Sequence, residues 1–275
     1  RRLGAYDDAT LSPRGLYAGV TRGRMLAAVD LRGGVHWTLT RPARVTLPRW
    51  SPDGFRIAYR SGARLRVVYG DGALDRPLAP RAAAVAPAWR PLAAHELAYV
   101  AGGGAVVVRD ADSGRVLWRR AVAGRVRQLA WAPDGRRLLA LTPTAAWVLD
   151  AHGAVRRVAA MPAGVRAVRA AWLPSGRAFA VVRSGPGARA SEAVLLPARG
   201  GGGARRVLAM PGRLTDVLAS PDGRRLLLGA PDADQWLLVP AGGSGRITAL
   251  SGVARQFDPG GSRAAAPPRP AGWIR

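Results

Sequence analysis

Apolar residues along this chain fall into short blocks separated by glycine and proline. One set, FRIAYR (55–60), RRLLAL (136–141), RAFAVV (177–182) and RRLLLG (224–229), is almost continuously apolar after its first residues. A second set follows each after a short gap: LRVVYG (65–70), AVVVRD (105–110), AAWVLD (145–150), EAVLLP (192–197) and QWLLVP (235–240). A third, RVLWRR (115–120), VRRVAA (155–160), RRVLAM (205–210) and RITALS (246–251), mixes apolar with charged positions. Blocks this short, rich in Val, Leu and aromatics, predict β-strands. No helical period competes over a similar length. The Ala-rich stretch 81–94 is broken by Pro87 and Pro91 and reads as loop plus strand.

The punctuation between blocks repeats. An aromatic or apolar residue, a spacer, Pro, a polar residue and Gly recur as LSPRG (11–15), WSPDG (50–54), WAPDG (131–135), WLPSG (172–176) and ASPDG (219–223), with WRPLA (89–93) and FDPGG (257–261) as variants. The marker prolines 13, 52, 91, 133, 174, 221 and 259 stand 39, 39, 42, 41, 47 and 38 residues apart. Proline sets φ for the first central position of a tight turn, Asp or Ser bonds locally, and Gly takes a positive φ. Counting the strand before each turn, every unit supplies four short antiparallel strands. Four strands per forty-odd residues, repeated six or seven times, predict an all-β fold, a β-propeller of four-stranded blades.

The Trp-Ser-Pro-Asp-Gly turn followed by Arg and an apolar strand resembles the repeat of TolB-like propellers, also called WD-like. It lacks the Gly-His and terminal Trp-Asp of true WD repeats. The resemblance spans nearly the whole chain and implies a propeller in an extracytoplasmic place. It is unspecific for activity, because such propellers serve as scaffolds, periplasmic binders, lipoproteins and gating domains of peptidases.

Six units are complete. A seventh is expected to be partial, with an inner strand over 252–257 (GVARQF), and Arg1–Leu3 matches outer-strand blocks at 156–158 and 205–207. With no initiator Met, the sequence reads as a fragment of one seven-bladed propeller domain over 1–275 with an irregular tail at 262–275; a closed six-bladed domain is the alternative. A leader or membrane anchor would lie upstream of residue 1.

Composition then narrows the chemistry. The 42 basic residues are all Arg against 17 acidic ones, a formal charge of +25, and there is no Lys or Asn. Abundant Ala, Gly, Pro and Arg are what GC-rich coding supplies, so part of the charge reflects composition. With no Cys, disulfides, thiolate metal sites and thiol catalysis are excluded. No apolar stretch reaches the length of a membrane-spanning helix. The arginines come as singles and pairs rather than in a tail, which favours a solvated surface over a nucleic-acid reading head.

Trp50, Trp89, Trp131 and Trp172 each stand two before a marker Pro and are expected in the blade core, as are Trp147 and Trp236; Trp37, Trp118 and Trp273 are less constrained. Arg56, Arg136, Arg177 and Arg224 follow the turn glycines and are expected to cap solvent edges. Setting aside turn acids Asp53, Asp134 and Asp222 and strand-ending Asp110 and Asp150, the loop acids are Asp7, Asp8, Asp216, Asp232, Asp234 and Asp258. Asp7, Asp8, Asp216, Asp232 and Asp234 map to the face formed by the inter-blade junctions and the second-to-third-strand turns. The longest spacing comes from an insertion at 183–191 on that face, carrying Arg183 and Arg189. Salt bridges to Arg are preferred to a metal for these acids, because a hard cation needs six or more oxygens. The Gly200–Gly203 loop is no phosphate cradle, since no helix follows it. His36, His95 and His152 lie in different units, and no Gly-x-Ser-x-Gly elbow occurs.

The expectation is a non-enzymatic, monomeric binding or scaffold propeller without cofactor or metal, engaging a protein or an anionic surface polymer. Its binding face would hold Arg183, Arg189, Asp216, Asp232 and Asp234. A hydrolase-type propeller using Asp8, Asp216, Asp232 and Asp234 as paired carboxylates is a second reading, and a nucleic-acid binder a third.

Overall fold

The structure, a computed structural model, describes residues 5–257. Six four-stranded antiparallel sheets follow one another in chain order. They are β1 (Asp8–Leu11), β2 (Tyr17–Arg22), β3 (Met25–Asp30) and β4 (Val35–Thr40); β5 (Val45–Trp50), β6 (Arg56–Ser61), β7 (Arg64–Tyr69) and β8 (Arg76–Ala79); β9 (Ala88–Arg90), β10 (Ala93–Val100), β11 (Val106–Asp110) and β12 (Val116–Arg120). Then come β13 (Gln128–Trp131), β14 (Arg137–Leu141), β15 (Ala145–Asp150) and β16 (Val155–Ala160); β17 (Arg166–Trp172), β18 (Ala178–Ser184), β19 (Ala190–Pro197) and β20 (Arg205–Pro211); and β21 (Asp216–Ala219), β22 (Arg225–Ala230), β23 (Gln235–Pro240) and β24 (Thr248–Ser251). This is the expected propeller architecture, with six complete blades.

The chain divides into two compact units, Arg1–Ala140 with Leu149–Val155, and Leu141–Val148 with Arg156–Arg275. The first three sheets lie in the first unit and the last two in the second. Residues 252–257 do not form the expected seventh-blade strand. They make one short helix, α1 (Val253–Phe257), because Asp234 collects its first amides: the backbone carbonyl accepts from Gly252 and Val253, and Oδ1 accepts from Ala254 N at 2.6 Å. The Arg1–Leu3 strand, Asp258, the Pro259 turn, Trp273 and the 262–275 tail lie outside the described residues.

Burial explains the two apolar patterns. β3 and β14 are buried almost throughout, whereas β4 and β16 are mostly exposed. Middle strands are covered on both faces by adjacent blades: Ala58, Leu65 and Val67 of the second sheet pack with Leu97, Tyr99 and Val107 of the third. In the second unit, Val182 and Leu195 pack with Leu226, Leu228 and Val239 of the next sheet. Trp89, Trp131 and Trp172 are buried in the core as expected, with Trp50 half-buried.

The Ser-Pro-Asp-Gly turns share one hydrogen-bond scheme. Ser51 O accepts from Gly54 N, Ser51 Oγ donates to Asp53 Oδ1 at 2.5 Å and accepts from Arg56 N, and Asp53 Oδ1 accepts from Phe55 N. Ser220, Asp222 and Arg225 repeat it. This register corrects one expectation: Arg56 is equivalent to Arg137 and Arg225, not to Arg136 and Arg224. Accordingly Arg56 and Arg137 pair with Asp53 and Asp134 three residues back.

A second recurring bond joins consecutive blades and was not legible beforehand. Trp37 Nε1 donates to Gly70 O at 2.8 Å, and Trp118 Nε1 to Ala151 O at 2.9 Å. At other junctions arginine does the same: Arg76 to the carbonyls of Ala111 and Asp112, Arg156 to Arg199 O, and Arg205 to Ala241 and Gly242. In each case a fourth-strand side chain reaches the carbonyl just past the third strand of the following blade.

Candidate functional site

In the second unit each acid expected at the binding face has a partner. Arg183 sits directly across from Glu192 on the β18–β19 ladder, and its Nε donates to Oε1 at 2.8 Å. Asp216 is buried, 3.6 Å from Arg169 Nε. Asp232 accepts from Arg213 Nε and Nη2 at 2.9 and 2.6 Å and from the Arg213 amide at 2.8 Å. These bonds from Arg213 hold its carboxyl below the usual range. Asp234, left-handed at φ 50, anchors α1. Arg189 is exposed. The insertion at 183–191 mostly lengthens the hairpin, since β18 runs to Ser184, β19 begins at Ala190, and one 3-10 turn at Pro186–Ala188 joins them. Asp8, in the first unit, accepts from the adjacent amide of Ala9. Among the described residues no group of three or more metal-ligating side chains is assembled.

The first unit carries the more one-sided arrangement. Antiparallel order puts the inter-blade junctions and the second-to-third-strand turns at one end of its strands, the junction end. The first-to-second and third-to-fourth turns lie at the other, the hairpin end. Acids that the sequence reading passed over, Asp30, Asp71 and Asp112, fall at the hairpin end with Asp53, Asp110, Asp134 and Asp150, while Asp75, also passed over, lies inside the second sheet. They are engaged there. Asp30 Oδ1 accepts from the amides of Arg32 and Gly34, and Asp150 Oδ1 from those of His152 and Ala154. The Gly34 amide, then that of Arg32, lowers the Asp30 carboxyl, and the Ala154 amide lowers that of Asp150. Arg56 forks onto Asp112 at 2.7 and 2.6 Å.

At the junction end the balance reverses. Arg22, Arg24, Arg44, Arg64, Arg81, Arg125 and Arg127 are exposed there, and among the described residues the acids are Asp7 and Asp8. Asp7 is itself occupied: its Oδ2 accepts from Gly23 N at 2.9 Å and Arg44 Nη2 at 3.2 Å, the Gly23 amide foremost lowering its carboxyl. In the second unit the arginine excess instead lies at the hairpin end, around Arg177, Arg199, Arg206, Arg224 and Arg246, with Asp222 beside them.

Two further features of the first unit are built from side chains. Asp75, with 7% of its side chain exposed, is gripped by Arg41 and by Arg66 Nη2 at 2.9 Å, and accepts from Tyr59 OH at 2.7 Å. Burial, with the Asp75 carboxylate, pushes the Tyr59 hydroxyl up to about 12. Secondly, an open cavity of about 400 Å³ is lined by Leu11, Arg49, Trp50, Trp89 and Leu129 and neighbouring prolines.

No family model matches the chain, and no curated protein matches it. Among solved structures it is similar to the Cps50 (Swd1) β-propeller domain of Myceliophteria thermophila, at 16% identity and TM-score 0.67, covering 92% of this chain and 88% of that one. It is also similar to Kuenenia stuttgartiensis hydrazine synthase, at 15% identity and TM-score 0.66, covering 85% and 76%. Likeness at this identity carries the fold alone.

Proposed function

We propose that this propeller is a non-enzymatic binding scaffold that engages an anionic partner, an acidic protein segment or an anionic surface polymer, through the junction end of its first unit. The observation that carries the reading is the imbalance of charge within that unit: at the hairpin end acids bound into turns stand among exposed Arg14, Arg32, Arg115 and Arg136, whereas at the junction end exposed arginines stand with two acids. Such a surface attracts polyanions over roughly 10 Å at 0.1 M salt and loses them as salt rises. In the second unit, Asp216, Asp232 and Glu192 each face an arginine, which suits a braced scaffold better than paired catalytic carboxylates. The resemblance to TolB-like propellers favours an extracytoplasmic setting.

Nucleic acid is the second reading, because the uncompensated arginine excess of the first unit lies at one end. Against it, the arginines of this end are not interleaved with exposed aromatic side chains on which bases would stack; Tyr6 there is half-buried. Retention on immobilised heparin and on duplex DNA tests both. The triple variant Arg24→Glu, Arg64→Glu, Arg81→Glu should elute from heparin at much lower salt than the parent. A control, Arg199→Glu, Arg206→Glu, Arg224→Glu in the second unit, should shift elution less. Equal shifts from both would reduce the effect to net charge and overturn the assignment. Tighter retention on DNA than on heparin would favour the second reading.

A further inference from the structure

Large apolar side chains are exposed at one end of the first unit only. Among its described residues, all nine exposed large hydrophobics, from Leu16 to Val155, lie at the hairpin end and none at the junction end. Leu16, Phe55, Leu74 and Leu92 are each more than half exposed. The fold does not demand apolar residues there. The slot after the turn glycine, filled by Leu16 and Phe55 in the first two blades, holds Arg136, Arg177 and Arg224 in the last three. The same turn accepts a solvated side chain, so an apolar one in two consecutive blades marks a surface to be covered.

These side chains share one connected surface. A Cβ on Gly54 would stand 3.7 Å from Pro13 Cδ, so the first turns of the first two blades abut. Phe55 O accepts from Gly70 N at 2.9 Å, which ties the turn bearing Leu74 to the turn bearing Phe55. Arg56, next in the chain, forks onto Asp112 of the third blade. Beside Leu74 opens a hollow of about 340 Å³, lined also by Tyr69, Asp75, Arg76 and Asp112. Exposed charge at this end is even: Arg14, Arg32, Arg115 and Arg136 stand against Asp53, Asp71, Asp112 and Asp150. Two copies of a chain carrying +25 repel one another, and a patch with balanced charge is where they can meet. A surface that carries both signs, an exposed aromatic ring and an open hollow complements itself about a two-fold axis, arginine to acid and ring to hollow.

We propose that two copies of this chain associate through the hairpin end of the first unit, in place of the monomer expected from sequence. The test is the mass of the whole chain by sedimentation equilibrium between about 1 and 100 µM, the weaker part of the range for interfaces of ordinary size. The parent should pass from the single-chain mass to twice that mass. Leu16→Arg, Phe55→Arg installs the arginine that the last three blades carry in this slot, so the blades should fold; association should weaken at least about hundredfold. Should that variant fail to fold, Leu16→Gln, Phe55→Gln should shift the equilibrium the same way without added charge. Ile247→Arg, Leu250→Arg adds the same charge at exposed apolar positions of the second unit and should leave the dimer intact. The Arg24→Glu, Arg64→Glu, Arg81→Glu variant should stay dimeric while losing heparin, and Leu16→Arg, Phe55→Arg should keep heparin. Failure of the polyanion reading and failure of this one are therefore separable. A parent at the single-chain mass throughout, a dimer that survives Leu16→Arg, Phe55→Arg, or equal weakening by Ile247→Arg, Leu250→Arg would overturn the proposal. A patch covered instead by a different protein would give the first of these results.

Discussion

Replacing Asp75 with alanine is expected to be the most damaging single change in the first unit. The carboxylate, 7% exposed, is the common acceptor for Arg41, Arg66 and the Tyr59 hydroxyl, and Tyr59 is fully buried. Its removal leaves two guanidinium groups close together without their counter-ion and strips the hydroxyl of its acceptor. Breaking a buried ion cluster by deleting one member costs about 3–5 kcal/mol, which for a chain of this size lowers Tm by roughly 10 °C. Asp75→Asn, which keeps an acceptor for Tyr59 and loses the charge, should fall between. The joint replacement Arg41→Met, Tyr59→Phe, Arg66→Met, Asp75→Leu removes the charges and the hydroxyl at once and should recover most of the loss. Thermal and urea unfolding of these variants, read by circular dichroism and tryptophan emission, give the comparison. An Asp75→Ala protein within about 1 kcal/mol of the parent would refute the reasoning and mean that water reaches the cluster.

Leu92 is 90% exposed with φ 65 in the two-residue Pro91-Leu92 turn, so Leu92→Gly should raise stability by roughly 0.5–1 kcal/mol, measured by Tm; a decrease would contradict the turn assignment. Gly72 and Gly104 have nearly the same φ, 89 and 88, but a Cβ on Gly72 would come 2.8 Å from the Trp37 ring whereas one on Gly104 meets nothing within 4 Å. Gly72→Ala should therefore cost at least about 1 kcal/mol more than Gly104→Ala. Asp30, Asp150 and Asp222 have lowered carboxyls, from backbone amides at the first two and from Ser220 foremost at the third. Their stabilisation is present above the ordinary carboxylate range and lost as pH falls through the lowered values, so unfolding midpoints should hold down to about pH 4 and then drop. Tyr59, raised to about 12, contributes stability below its ordinary value that is lost as pH rises through the raised one. Absorbance at alkaline pH should show a phenolate that appears well above the ordinary tyrosine range and is lost in Tyr59→Phe; no such late component would contradict it.

Most strands were legible because each leaves a local mark: two-sided burial writes a continuous apolar block, an exposed fourth strand writes a mixed one, and the Pro-Asp-Gly turn writes itself. What escaped was whatever depends on two blades at once. The inter-blade bond uses Trp at 37 and 118 and Arg at 76, 156 and 205, and its acceptor is a main-chain carbonyl, so no single residue type marks it in every unit. The Asp75 cluster joins Arg41, after the first sheet, to Tyr59 and Arg66 of the second, and no spacing within a repeat announces it. Arg183, Asp216 and Asp232 could be assigned to one loop set from topology, but that their cations stand across a ladder or a loop is a matter of register. The Val253–Phe257 helix was missed because its amides are held by Asp234 from the preceding blade, against a sequence that otherwise reads as strand.

The inter-blade bond also bears on how such a chain can grow. Its acceptor is peptide backbone, present whatever side chains the receiving blade carries, and its donor serves equally as indole or guanidinium. A blade copied by duplication thus arrives with both halves of the connection, facing forward and back, and needs no matching substitution in its neighbours. Under that rule, units of 38 to 47 residues can diverge freely in loops and surface charge while remaining interchangeable in order.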